Sequence, residues 1–181
     1  MNTPDPDRSL VARLWTLGER AIAGLNALQP AAQLLARWYV GSVFFRSGMT
    51  KLRDWEITVA LFTDEYHVPF LSPPVAAFMG TTAELALPVL LVLGLGGRFA
   101  AAGLFILNIV AVVSVPDLPV AALQQHVFWG SLLAALLLWG PGRWSLDAYA
   151  VPWLRRRVLP GEAAGAAALT GIAANRVAPN R

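Results

Sequence analysis

Long apolar stretches dominate the chain and predict helices that cross a membrane. A helix needs roughly 20 mostly apolar residues to span the hydrocarbon core of a bilayer. Four stretches approach that length, at residues 30–49, 74–95, 99–115 and 121–139. Glycine or proline interrupts the chain between the last three, so each connection is short and its neighbours are antiparallel. The pattern therefore predicts an all-α integral membrane bundle of four transmembrane helices.

The residues before the first stretch predict an amphipathic helix. Leucine and alanine recur there at steps of three and four between Ser9 and Leu28. Arg13, Glu19 and Arg20 interrupt the segment, so it cannot span a bilayer. This spacing is typical of a helix that lies on the inner membrane surface.

The connection between the first two stretches predicts a second surface helix, on the outer face. Asp54 is a suitable N-cap, and an apolar stripe follows it at steps of four, three and four: Trp55, Val59, Phe62 and Tyr66. We expect either a helix that rests on the membrane or a lid over a site that opens outward.

These patterns divide the chain into three parts. They are a cytoplasmic amphipathic segment (1–29), a four-helix membrane domain (30–150) and a tail that is first basic and then flexible (151–181).

Cationic residues near the ends of the spans predict their direction. Eight collect on one side of the predicted bundle: Arg8, Arg13, Arg20, Arg98, Arg143, Arg155, Arg156 and Arg157. The opposite side has only Lys51 and Arg53. Because cytoplasmic loops carry the excess of lysine and arginine, we expect a multi-pass protein of a bacterial inner membrane with both termini in the cytoplasm.

Composition narrows the classes of function. The chain is 56% hydrophobic and 14% charged, whereas a soluble domain is about one quarter charged. It has no cysteine, which excludes thiolate catalysis and cysteine-ligated metal centres. The scattered net charge of +3 does not favour nucleic-acid binding. Since no phosphate loop, dinucleotide fingerprint or nucleophile–base motif is present, we do not expect a self-contained enzyme.

Charged side chains inside the predicted spans are the first candidates for function, because burying a charge in a bilayer is costly. Glu84 lies near the middle of the second span, and Arg37 and Arg46 lie in the first. We expect Glu84 and Arg46 to share a polar network with Lys51 above it, and Arg37 is the alternative partner. Asn108 in the third span lies at a similar depth. The network either fixes helix register or contributes to proton transfer, quinone contact or transport.

Both histidines are expected near the outer face, beside aromatic groups. His67 follows the outer helix and His126 begins the fourth span, close to Gln124, Gln125 and Trp129. A quinone head group needs polar partners for its oxygens and an apolar slot for its ring, and these residues with Tyr66 can supply both. Trp and Tyr are also ordinary membrane anchors at this depth. Haem between the histidines, or a metal on His67 with Asp64 or Glu65, has less support, and no metal site is predicted.

Several motifs together resemble the DoxX family of small four-helix bacterial membrane proteins. Residues 44–52 read FFRSGMTKL and contain the pattern aromatic–x–x–Gly–x–x–Lys–Leu. Glu84, LGL at 93–95 and GPGRWSLD at 140–147 follow in order. The resemblance covers about residues 30–150. The stretch 61–69 (LFTDEYHVP) is similar to one proteobacterial branch found beside metal-responsive peptide systems.

The resemblance implies a membrane role in redox or stress response. We expect a quinone-interacting or anchoring subunit of such a system, with a protein partner that supplies the redox cofactors. A transporter or exporter component and a membrane docking protein are the alternatives. The substrate and the cofactor stay open apart from a quinone, and the sequence also leaves a homo-oligomer open.

Overall fold

The computed structural model describes residues 6–158, and every regular element in that range is a helix. The six described helices are α1 (Pro6–Arg53), α2 (Trp55–Asp64), α3 (Pro73–Leu93), α4 (Gly97–Val113), α5 (Val120–Trp139) and α6 (Asp147–Val158). The all-α prediction is confirmed. The predicted flexible tail lies mostly outside the described residues.

The apolar helices α3, α4 and α5 correspond to the last three predicted spans. Among the described helices, α3 and α5 are long and apolar enough to cross a membrane, with 21 and 20 residues. Helix α4 is equally apolar in character but has 17 residues. Each helix ends where the backbone must turn: Gly94 at the end of α3 has φ of 66°, a left-handed conformation that glycine adopts without strain.

The first helix differs from its prediction. The amphipathic segment and the first span were expected to be separate helices, but α1 is continuous over 48 residues with Pro30 inside it. The expected break is wrong. A proline inside a helix costs about 3 kcal/mol, and the good helix formers on both sides of Pro30 continue the helix through that local penalty. Only the second half of α1 packs against other helices, whereas residues 11–29 are exposed.

Four helices form the bundle. Helix α1 packs on α3, α3 on α4, α4 on α5, and α5 closes the ring against α1. Small and branched side chains fill the centre, and the fully or almost fully buried ones are Val40, Phe44, Leu91, Ala100, Ala101, Leu104, Leu133 and Leu136. Helix α2 covers one end of the ring, where Phe62 packs against Ala76 and Ala77 of α3.

The N-cap of α2 is the one the sequence predicts. Asp54 accepts a hydrogen bond from Ile57 N at 3.0 Å. The buried Thr58 hydroxyl bonds to the carbonyl oxygen of Lys51 at 2.8 Å and thereby ties α2 to the end of α1. Phe62 is buried, Val59 and Tyr66 are half-buried and Trp55 is exposed, so the predicted stripe packs along three of its four positions.

The opposite end of the ring is closed by the loop between α5 and α6. Asp147 accepts hydrogen bonds from Gly96 N and Gly97 N, both at 2.9 Å, and caps α4, which has no capping side chain of its own. The loop backbone also pairs with the end of α3, through Leu146 N to Leu93 O at 3.0 Å. Residues 152–157, which include the basic cluster, are helical and exposed in α6. There the Arg157 guanidinium lies 4.4 Å from the centre of the Trp153 ring.

Candidate functional site

A cavity of about 620 Å³ lies inside the bundle at the end that α2 covers. Helices α1, α3, α4 and α5 form its walls, and the segment from Phe62 to Leu71 forms its cover. Most of the lining is aliphatic or aromatic. The polar lining side chains come from every wall: Ser47, Lys51, Glu65, Tyr66, Glu84, Ser114 and His126. The volume falls within the usual range for a small-molecule site, roughly 300–1,000 Å³.

An ion pair lies in the wall between α1 and α3. Lys51 Nζ lies 2.7 Å from Glu84 Oε1 and 2.5 Å from Oε2, and it also donates to Ser47 Oγ at 3.1 Å. The Lys51 and Glu84 side chains are only 16% and 11% exposed. Lys51 reaches this position because it extends the buried stripe of α1, which runs at steps of three and four through Val40, Phe44 and Ser47. The paired charges leave the cavity wall nearly neutral while keeping donors and acceptors at its surface.

The predicted partner of Glu84 is therefore wrong. Arg46 is exposed on α1, and Lys51 binds the carboxylate that Arg46 was expected to bind. These two cations are five positions apart, which places them about 140° apart around a helix of 3.6 residues per turn. The sequence indicated their depth, whereas the rotation of α1 about its axis determines which of them meets α3.

Arg37, the alternative partner predicted for Glu84, lies at the other end of the bundle, beside the α5–α6 loop. It is fully buried, and its guanidinium donates to the carbonyl oxygens of Val92, at 3.3 Å, and of Trp144. Its Nε has no partner among the described residues. Arg37 thus joins α1 to the end of α3 and to the α5–α6 loop, and it does not contribute to the cavity.

Asn108 and His126 form a reciprocal pair between α4 and α5. The Asn108 amide nitrogen donates to the carbonyl oxygen of His126 at 3.0 Å, and Asn108 Oδ1 lies 2.8 Å from His126 Nδ1. Because Oδ1 can only accept, Nδ1 carries a proton, and in the neutral ring this leaves a lone pair on Nε2. Asn108, which the sequence placed at a similar depth to Glu84, has its side-chain hydrogen bonds with His126. Asn108 thus fixes the ring of His126, which lines the cavity.

Aromatic rings surround the polar groups. The Trp129 ring lies 5.0 Å from the His126 ring and 6.1 Å from Phe44, both edge to face. Tyr66 packs edge to face on Phe62 at 5.1 Å. Burial, followed by the nearby negative charges of Glu65 and Glu84, raises the pKa of the Tyr66 hydroxyl. The phenol therefore stays a hydrogen-bond donor over the physiological pH range.

Residues 32–117 match the family model for DoxX. This segment is a DoxX domain. The match begins inside α1, two residues beyond Pro30, and ends in the loop before α5. It therefore includes Lys51, Glu84 and Asn108 but not His126. No curated protein and no solved structure matches the chain. The DoxX domain and the apolar helices together indicate a membrane protein.

Three of the predicted groups lie away from the DoxX cavity. The His67 side chain is exposed, with Nδ1 3.2 Å from the carbonyl oxygen of Glu65. Its backbone N–H donates to Ser114 O at 2.9 Å, so the residue ties the cover to the end of α4. Gln124 and Gln125 are exposed on α5 and do not line the cavity.

Sequence reasoning missed Ser47 and Ser114 of this DoxX site. Ser47 lies four residues before Lys51, and this helical spacing was a usable signal. Ser114 carried no signal, because a serine at the end of an apolar helix is an ordinary helix terminus. In the structure it is 2% exposed, and its hydroxyl has no partner among the described residues. Those residues also contain no cluster of three or more His, Cys, Asp or Glu that could hold a metal ion.

Proposed function

We propose that the chain is a quinone-binding subunit of a membrane redox or stress-response system. The observation that carries this proposal is the cavity itself, in which hydrogen-bonding groups stand beside aromatic and aliphatic walls. Such a combination suits a lipid-soluble ring with oxygen functions. In this proposal the protein crosses the bacterial inner membrane four times, with α2 on the outer side and both termini in the cytoplasm.

The residues present fit a quinone head group. The Tyr66 hydroxyl can donate to a ring oxygen, and His126 Nε2 can accept from a ring hydroxyl. Trp129 and Phe44 offer faces and edges to the ring, and the apolar walls exclude water. A bound quinone would supply two-electron redox chemistry, which no described side chain supplies.

The chain's own groups would bind and orient this ligand and handle its protons. Glu84 is the carboxylate in the wall, and its bond to Lys51 fixes its position there. Glu65 also lines the cavity, at the end of α2, so a second carboxylate lies between Glu84 and the outer side. Electrons must come from or go to a protein partner, because the chain has no cysteine and no nucleotide motif.

Direct binding of a quinone tests the proposal. The purified protein in mild detergent would be titrated with a short-chain alkyl ubiquinone analogue, with tryptophan fluorescence as the readout. We expect binding to wild type and about tenfold weaker binding to Glu84→Gln, which equals roughly 1.4 kcal/mol. Arg46→Gln is the matched control, because it removes an exposed cation from the same helix, and its affinity should equal that of wild type.

Two results would contradict the proposal. One is no saturable binding by wild type, and the other is equal affinity for wild type, Glu84→Gln and Trp129→Leu. Either result would favour the alternatives, a transporter or exporter component or a membrane docking protein. Flux assays in proteoliposomes would then separate these two classes.

A further inference from the structure

A second hollow lies on the other side of α4, in the seam between α4 and α5. This seam groove has a volume of about 420 Å³ and is lined almost entirely by apolar side chains of the two helices. Ile109, Val113 and Val127 on its walls are 45%, 61% and 60% exposed. The groove therefore opens on the outside of the bundle, where apolar helices of a membrane protein meet lipid.

One residue connects the seam groove with the cavity. His126 lines both, and its partner Asn108 lies in the wall of the groove. The two hydrogen bonds of this pair join α4 to α5. Among the described residues, His126 is the only one that lines both the groove and the cavity, so these bonds lie where the two meet. Burying polar side chains in an apolar groove is costly unless they are hydrogen-bonded. Asn108 and His126 meet this condition by bonding to each other across the seam.

The residue below the pair leaves room for it. A Cβ at Gly130 of α5 would lie 3.1 Å from Asn108 Nδ2 and 3.7 Å from Phe105 Cε2. The first distance is tighter than ordinary contact, so a larger residue would press on the amide. The absence of a side chain at position 130 allows Asn108 to approach α5 closely enough to bond with His126.

The end of the cavity next to α2 is covered. Tyr66, Val68 and Leu71 lie over it, and the bond from His67 N to Ser114 O fastens this cover to α4. A ligand that dissolves in hydrocarbon is concentrated in the bilayer and not in the outer water. A path through the helix seam therefore begins in lipid, whereas a path under α2 begins in the outer water.

We propose that the seam groove is the entrance through which a membrane-dissolved ligand reaches the cavity, and that the Asn108–His126 pair is the latch that keeps this seam closed. The inference rests on the proposed function in one respect, since it takes the ligand of the cavity to be soluble in lipid. Opening requires the two hydrogen bonds of the pair to break while the remaining α4–α5 contacts below them hold.

A thiol reporter inside the cavity tests the route without any quinone. The chain has no cysteine, so Ala83→Cys introduces a single thiol at a half-buried position that lines the cavity. In proteoliposomes, its modification would be timed with a hydrocarbon-soluble maleimide and with a membrane-impermeant anionic thiol reagent. We expect the apolar reagent to react faster.

Two tryptophan variants on α5, each combined with the reporter, locate the entrance. Ser131→Trp fills the seam groove, because Ser131 lines it and is exposed. Gln125→Trp places the same side chain at an exposed position outside both spaces. We expect Ser131→Trp to slow the apolar reagent about tenfold, the effect of roughly 1.4 kcal/mol on an activation barrier, and Gln125→Trp to leave the rate unchanged. Asn108→Ala should open the latch and speed the reaction, with a thermal melt to verify that it folds.

Equal rates for Ser131→Trp and Gln125→Trp would overturn the proposal. A faster reaction with the anionic reagent, insensitive to both tryptophans, would overturn it as well and would place the entrance under α2. These outcomes are separate from the quinone titration. A failed titration with the expected thiol rates would contradict only the proposed ligand, and the reverse combination would contradict only the entrance.

Discussion

The two charges of Lys51 and Glu84 depend on each other, because both are almost fully removed from solvent. Removing one partner of a buried pair leaves the other charge uncompensated, whereas removing both eliminates the cost of burial. We expect Glu84→Gln and Lys51→Met each to cost roughly 3 kcal/mol, the low end of the range for a buried pair, since both side chains keep some exposure. The double variant should recover part of that loss in a thermal melt in detergent.

Arg46 provides the matched control for this cycle. Its side chain is exposed on the same helix, so Arg46→Met should leave the melting temperature unchanged. Strict additivity of the Glu84 and Lys51 changes would mean that the two side chains do not interact, and the assignment of the pair would then be wrong.

Tyr66 gives the site a dependence on alkaline pH. Burial and the neighbouring carboxylates raise the pKa of its hydroxyl in the folded protein, so folding favours the protonated phenol. Stability from this group is complete below the unfolded pKa of about 10 and is lost as the pH rises through the higher folded value. Wild type should therefore lose stability more steeply above that pH than Tyr66→Phe. The check is a series of thermal melts for both proteins across alkaline pH, and parallel curves would contradict the assignment.

At the scale of helices, α4 depends on a residue far away in the sequence. Gly96 and Gly97 begin α4 without a capping side chain, and the Asp147 carboxylate supplies the two missing acceptors. We expect Asp147→Ala to cost about 1–2 kcal/mol, the upper part of the range for an N-cap. Asp117→Ala removes an exposed carboxylate from another loop and should change nothing. Equal melting temperatures for the two variants would show that Asp147 does not cap α4.

This cap also shows what the sequence could and could not reveal about the helices. Apolar run length predicted α3, α4 and α5 within two residues at each end, because the length of an apolar run is a local property of the chain. The Asp54 cap was visible for the same reason. The cap on α4 was not visible in the sequence, because Asp147 lies about 50 residues after Gly96. The motif GPGRWSLD at 140–147 gave no indication of which helix its aspartate would cap.

The remaining errors have a common physical origin. The break expected before Pro30 and the pairing of Glu84 with Arg46 both concern α1, whose charges and proline obscure the simple apolar pattern. Packing against α3 decides how far α1 continues and which of its sides faces inward. Those are tertiary effects, so depth in the membrane was predictable while the identity of the partner was not.

For the whole molecule, the unequal distribution of cations determines the orientation that we predict in the membrane. The ends of α1, α3 and α5 alternate between the two faces of the bundle. Lys51 and Arg53 belong to the face with α2, while Arg98, Arg143 and the three arginines of α6 belong to the other face. Because positive residues are retained in the cytoplasm, the α2 face should be outside.

Reporter fusions would test this orientation directly. Fusions at Asp64 and Asp117 should be active only with a periplasmic reporter, and a fusion after the C-terminal residue only with a cytoplasmic one. Arg155, Arg156 and Arg157 each gain roughly 1 kcal/mol from anionic lipid at the inner surface, so replacing all three by glutamine should weaken the preference without inverting it, given Arg98 and Arg143. A periplasmic C-terminus in wild type would contradict the topology and would move the cavity to the cytoplasmic half of the membrane. The Lys51–Glu84 pair and the seam groove would then remain as described.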